Sequence, residues 1–206
     1  MKYSFKSSVK WSVFIFVVTY ILSCVFTVVS TTMLEGVVWG VGVLIVFMFV
    51  LIGVVFDMMG LAAASADERP FHAMASEKVK GAKQSIYIVR NADRFSNFCN
   101  DVVGDVAGVI SGAASALVVL KLFGSAAGDS FQYTLFSVLF TGLVSAVTVG
   151  GKALGKSFAI HYATEIVLVV GKLFYVLEVY FGIRLFNGRN AKSNGKRGQR
   201  RAAKPN

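Results

Sequence analysis

Asn97, Asp101 and Asp105 fall at i, i+4 and i+8 beside the apolar stretch Phe98–Phe123, and Asp57 closes another apolar run in Val55-Phe56-Asp57-Met58-Met59-Gly60. On a helix the first three make one polar stripe at the mouth of a membrane span. An ionised carboxylate at the centre of a span costs roughly 2.5–3.5 kcal/mol on insertion scales, so such groups face an aqueous path, a partner charge or a bound cation. Asp57 stands at the inner end of one span, and Asp101 and Asp105 about one and two turns into the next, so the three acids belong at similar depth. Hard divalent cations such as magnesium take oxygen ligands, often one or two carboxylates with waters retained. Asp57, Asp101 and Asp105 with the amides of Asn97 and Asn100 supply that donor set. Two readings fit these residues: cation binding or permeation, and helix capping with salt bridges to Arg69, Arg90 or Arg94.

The elements that must carry them are membrane helices. Hydrophobic residues make up 55% of the 206, and the mean hydropathy is +0.66. Polar residues are gathered into blocks instead of alternating with apolar ones. Crossing about 30 Å of hydrocarbon takes roughly 20 helical residues, and four proline-free runs are that long: Trp11–Thr31, Val37–Met59, Phe98–Phe123 and Phe131–Gly150. The fold class is therefore all-α: a polytopic helical membrane protein with about four transmembrane helices and juxtamembrane amphipathic helices. A single transmembrane domain spans 11–186, behind a cytoplasmic segment 1–10. The first span has no convincing small-x-small cleavage site after it and reads as an anchor.

Charge sets the expected orientation. With four crossings and a cytoplasmic N-terminus, all but Lys121 of the 21 Lys and Arg residues lie on the inner side, as the positive-inside rule requires of an inner, bacterial-type cytoplasmic membrane. The outer loops Thr32–Gly36 and Gly124–Ser130 are short and carry only Glu35 and Asp129. Two further segments read as lying along the inner face. Between Pro70 and Arg90, Phe71, Met74, Val79, Ala82, Ile86 and Val89 recur at near-helical spacing among basic residues, the pattern of a juxtamembrane amphipathic helix whose middle is weakened by Gly81. Ser157–Phe181 gathers Ser157, His161, Glu165, Lys172 and Tyr175 on one face. It reads as an interfacial or protein-packed helix, because a fifth crossing would export the basic tail against the charge rule.

That tail, Asn187–Asn206, has almost nothing to bury and reads as disordered, an orienting charge cluster that touches anionic lipid. No aromatic is interleaved among its charges to stack on bases, so nucleic acid is not an expected partner. Gly104, Gly108 and Gly112 repeat every fourth residue, followed by Ala116. Such ladders let helices approach closely in lipid and could shield the neighbouring aspartates. Ser137, Thr141, Ser145 and Thr148 line the fourth span at similar intervals and suit either bonds to their own helix or oxygen ligation. Cys24 and Cys99 stand at different depths, which is against a disulfide, and His72 and His161 are isolated. With no nucleophile beside a base, no phosphate loop and no paired histidines, the chain does not read as an enzyme.

The block Phe56–Asp105 resembles the transmembrane domain of the CNNM/CorB/CorC magnesium transporters. There a core span ends in Phe-Ser-x-x-Glu-x-Ala, a juxtamembrane helix follows, and a Pro-Glu-Arg-Phe-like stretch leads into a span with Gly-Asn. The counterparts here are Phe56-Asp57-Met58-Met59-Gly60-Leu61-Ala62, Asn91-Ala92-Asp93-Arg94-Phe95 and Gly104-Asp105. Val149-Gly150-Gly151-Lys152-Ala153-Leu154-Gly155-Lys156 stands where the family has Phe-Gly-Glu-x-x-Pro-Lys, with one residue inserted. The likeness covers roughly Val37–Phe181 and implies magnesium transport and a homodimer through this module. The departures are substantial. Gly60 and Gly151 replace two glutamates, Gly155 replaces the proline, Asp57 and Asp105 stand where the family has Ser and Asn, an N-terminal span is added, and nucleotide-binding CBS domains are not present. Either the ion site is rebuilt from aspartates, giving divalent-cation transport or binding, or it is lost, giving a non-transporting membrane interaction protein.

Overall fold

In hydrocarbon a backbone must satisfy its own polar groups, and a long apolar run without proline does so as a helix. The computed structural model describes residues 5–124 and 131–181, and every regular element among them is helical. In chain order these are α1 (Phe5–Leu34), α2 (Trp39–Ser65), α3 (Arg69–Ser76), α4 (Ala82–Arg90), α5 (Ala92–Asn97), the π-helix π1 (Phe98–Gly104), α6 (Asp105–Phe123), α7 (Phe131–His161) and α8 (Ala163–Phe181). Four stretches are long and apolar enough to cross a membrane: Trp11–Leu34, Trp39–Ser65, Ala92–Phe123 and Phe131–His161. The chain is an all-α, polytopic membrane protein, as its composition requires.

The helix α2 is the axis of the bundle. Its buried positions Gly42, Val46, Phe49, Val50, Gly53, Asp57 and Gly60 follow helical spacing, so one face runs continuously against α6 and π1 while α7 packs alongside. In its first half Val46 and Val50 pack with Ala114, Val118 and Val144, and Phe49 meets Phe26 of α1 edge-on at 6.2 Å. At its far end Ala62 and Ala63 join a second core with Phe71, Ile88, Ala159 and Val167. That core ties α3, α4 and α8 to the same end of the bundle. At the opposite end the Lys121 ammonium donates to the carbonyls of Leu34 and Val37. There it satisfies the orphan Leu34 acceptor at the end of α1, where a cation is favoured, and a carbonyl of the turn into α2.

Several expected elements differ in extent. The amphipathic helix 70–90 is two helices, broken over Glu77–Gly81, where Lys78 has φ +60° and Gly81 φ +87°. The break lets the Gly81 backbone lie against α8: a Cβ on Gly81 would come within 2.5 Å of the Lys172 nitrogen, and one on Gly171 would strike the Ser85 hydroxyl. Only glycine fits both the left-handed backbone and the contact. The fourth span runs on past Gly150 to His161, and the helix placed at 157–181 is interrupted at Tyr162, so its first residues belong to α7. The third span begins earlier than Phe98, at Ala92, and runs through α5 and π1 into α6. The basic tail 187–206 and loop residues 125–130, with Asp129, lie outside the described residues.

The glycine ladder is not a continuous contact. Gly104 is packed against α2, but a methyl group on Gly108 or Gly112 would meet nothing within 4 Å. Four residues overshoot one helical turn by about 40°, so successive members of the ladder swing away from the contact line. The line is held instead by Ala107, Ile110, Ala114 and Val118, all buried.

Candidate functional site

Asp57 lies on the buried stripe of α2 and is only 5% exposed. Two close helix approaches enclose it. On one side Gly53 and Gly60 receive π1: a Cβ on Gly53 would sit 3.2 Å from the Gly104 carbonyl oxygen, and one on Gly60 would collide with the Asn100 side chain. On the other side α7 approaches through Gly151 and Gly155, where added methyl groups would meet Val54 at 3.1 Å and Met58 at 2.7 Å. Small residues at these positions let the backbones close in. The approach of α7 delivers Lys152, one residue past Gly151, into the crevice.

The Lys152 ammonium donates to Asp105 Oδ1 at 3.1 Å and lies 3.8 Å from Asp57 Oδ1. Asp105, at the start of α6, has a largely exposed side chain, while that of the lysine is mostly enclosed. Two carboxylates thus share one ammonium. Among the described residues, neither Asp57 Oδ2 nor Asn100 Oδ1 has a hydrogen-bond partner, and both atoms are buried. Asn100 donates through Nδ2 to Ser96 at 3.3 Å, so its carbonyl oxygen is left as an acceptor with no donor. Buried acceptors without donors are costly, by about 1–3 kcal/mol each, and mark places where something else is accommodated.

The expected acidic cluster is only partly assembled. The structure brings Asp57 and Asp105 onto one lysine and places Asn100 beside them on the α2 contact through Gly60. Asp101 and Asn97 are exposed on the outward stripe. No group of three His, Cys, Asp or Glu residues that could hold a metal occurs among the described residues, so Asp101 does not converge with the other two acids. The arginines expected as partners are engaged elsewhere. Arg90 pairs with Glu68 at 2.6 Å, and Arg94 lies over the Trp11 ring at 5.1 Å. A hydrogen bond from His72, helped by Arg90 and opposed by partial desolvation, holds the Glu68 carboxyl below its usual range. Of the fourth-span hydroxyls, that of Thr148 bonds back to the Val144 carbonyl at 2.7 Å.

Lys152 is the residue that reading the acids alone misses. Its signal is Gly151-x-x-x-Gly155, a small-residue pair flanking the only lysine within that stretch of helix. Comparison with protein-family models, curated proteins and solved structures finds no match for the chain.

Proposed function

We propose that this membrane protein binds and moves a cation, magnesium first among the candidates, in the crevice between α2, π1 and α7. Asp57 and Asp105 are its carboxylate ligands, and Lys152 is the resident counter-ion that it displaces. The observation that supports this most is Asp57: it is buried, one oxygen shares an ammonium with a second carboxylate, and the other oxygen has no partner. Two carboxylates and one lysine leave a net negative charge at the crevice, enclosed at Asp57 and open to solvent at Asp105, which a second cation entering from the Asp105 side offsets. The donors within reach are carboxylate and amide oxygens, which suit a hard divalent ion better than a soft one. The resemblance of Phe56–Asp105 to magnesium transporters points the same way, and a homodimer belongs to that reading.

A second reading is favoured by Lys152 itself, which already supplies a cation to both acids. On that reading the crevice is a helix-pinning ion pair and the protein is a non-transporting membrane interaction protein.

Thermal unfolding and proteoliposome flux separate the two. Under the transport reading, millimolar magnesium raises the melting temperature at constant ionic strength, since a ligand at a hundred times its dissociation constant contributes about 2.7 kcal/mol. Asp57→Asn abolishes the response, and Lys152→Gln strengthens it by removing the competitor. Absence of a magnesium-dependent shift or flux in wild type and in Lys152→Gln alike would establish the ion-pair reading.

A further inference from the structure

We infer that the cleft bounded by the start of α1, the end of α2, α5 and α8 is a binding site for one anionic glycerophospholipid. The cleft has a volume of about 530 Å³ and an apolar wall built by Phe56, Met59, Phe98, Leu173 and Leu177, with Trp11, Asn91 and Arg94 among the lining residues. That size is typical of a site for a small molecule or a lipid segment. Trp11 and Ala92 are the first residues of two of the membrane-crossing stretches. The Trp11–Arg94 pair therefore stands at the boundary between hydrocarbon and headgroups, where Trp and Arg anchor by preference.

Charge identifies the occupant. Arg94 is exposed, and among the described residues no carboxylate pairs with it; its one assigned contact is the Trp11 ring face. Arg90, one turn earlier, is already neutralised by Glu68. A guanidinium held by stacking over an aromatic ring keeps its N–H fork free for a planar or tetrahedral oxyanion, and phosphate is the oxyanion that a membrane supplies at this depth. The apolar wall takes the acyl chains that the same molecule brings. Arg94 is the one charged residue lining this cleft; a zwitterionic headgroup would place a second cation beside it, whereas an anionic one adds none. The neighbouring cleft lined by Val55, Met58, Phe158 and Val169 has Glu165 as its charged residue and no cation to hold a phosphate. This site is separate from the Asp57 crevice and does not depend on ion transport.

The chain has two tryptophans, Trp11 and Trp39, and Trp39 begins α2 at the opposite end of the bundle. A Trp39→Phe protein therefore reports on Trp11 alone. In detergent micelles doped with phospholipid brominated along its acyl chains, phosphatidylglycerol should quench Trp11 saturably. Its apparent affinity should exceed that of chain-matched phosphatidylcholine by about tenfold, the order of one like-charge contact between the choline ammonium and the Arg94 guanidinium near a protein surface. Arg94→Gln should remove the preference, and Lys80→Gln, which changes an exposed lysine outside the cleft, should keep it. Equal quenching by the two lipids, or a loss as large in Lys80→Gln as in Arg94→Gln, would overturn the site. Should Arg94→Gln fail to fold, the comparison of the two lipids in the Trp39→Phe protein alone decides the matter.

Discussion

Lys152 holds two carboxylates of unequal exposure, and the inequality dictates what its removal does. Asp105 can be rehydrated, but Asp57 is 5% exposed and cannot. Lys152→Gln in the absence of divalent cation therefore leaves an uncompensated buried charge, at a cost of about 3–5 kcal/mol. Replacing both members, Asp57→Leu with Lys152→Leu, removes the charges together and should restore most of the lost stability, as apolar replacements of buried pairs do. Thermal unfolding of the two single variants and the double variant measures this coupling directly, and purely additive losses would show that the pair does not interact. At this scale the sequence was legible on one side only. Asp57 and Asp105 announce themselves because a carboxylate among apolar residues is expensive wherever it sits. Their partner does not, because the pairing spans separate helices and depends on the depth at which Gly151 and Gly155 let α7 meet α2. The arginines nearer in sequence were plausible by charge, but Glu68 and Trp11 engage two of them.

The elements divide along the same line between local and tertiary causes. Four long helices follow from hydropathy and length, which are local properties, and their identification needed nothing else. The break at Gly81 does not follow. A glycine within an amphipathic pattern reads as a weak point in one helix, whereas here it sets a left-handed backbone against the Gly171–Lys172 backbone. Gly81→Ala should accordingly loosen α8 from α4. Strain at φ +87° and a clash with backbone act together, each about 1–3 kcal/mol, and faster amide exchange across Val167–Tyr175 is the measurement. Gly108→Ala is the contrasting case. It has open space and an ordinary helical backbone, so the variant should be neutral or gain up to about 1 kcal/mol from helix propensity. A loss of stability in Gly108→Ala would mean that a second copy covers that face. The Glu68 carboxyl links α3 to α4 through Arg90. Because its pKa is lowered in the fold, that contribution is complete above its reference value of 4.5 and is lost as the pH falls through the lowered value. The π-helix within the third span has no local signal that we can name; Asn100 and Gly104 within it lie closely against Gly60 and Gly53.

At the scale of the whole molecule, four crossings gather α3, α4, α5 and α8 at one end of the bundle and leave Lys121 at the other. The second core fixes the first of these: Phe71, Ile88 and Val167 pack on Ala62 and Ala63, so α8 cannot leave that end without exposing them. Lys121 fixes the second by donating to the Leu34 carbonyl that closes α1 and to Val37 in the turn after it. Among the described residues every Lys and Arg except Lys121 falls toward the end that carries α3 and α4, and on the positive-inside rule we propose that this end is cytoplasmic. We therefore expect both termini inside. With Cys24 and Cys99 replaced by Ser and Ala, a thiol at Glu35, in the turn between α1 and α2, should react with a membrane-impermeant maleimide added to intact cells. Thiols at Lys80 and at Asn190 should react only after the membrane is opened. The Asn190 position carries the discrimination. If it reacts from outside while Lys80 stays protected, α8 crosses the bilayer as a fifth span, and the contacts that bind it to α4 must then be made within the membrane and not along its surface.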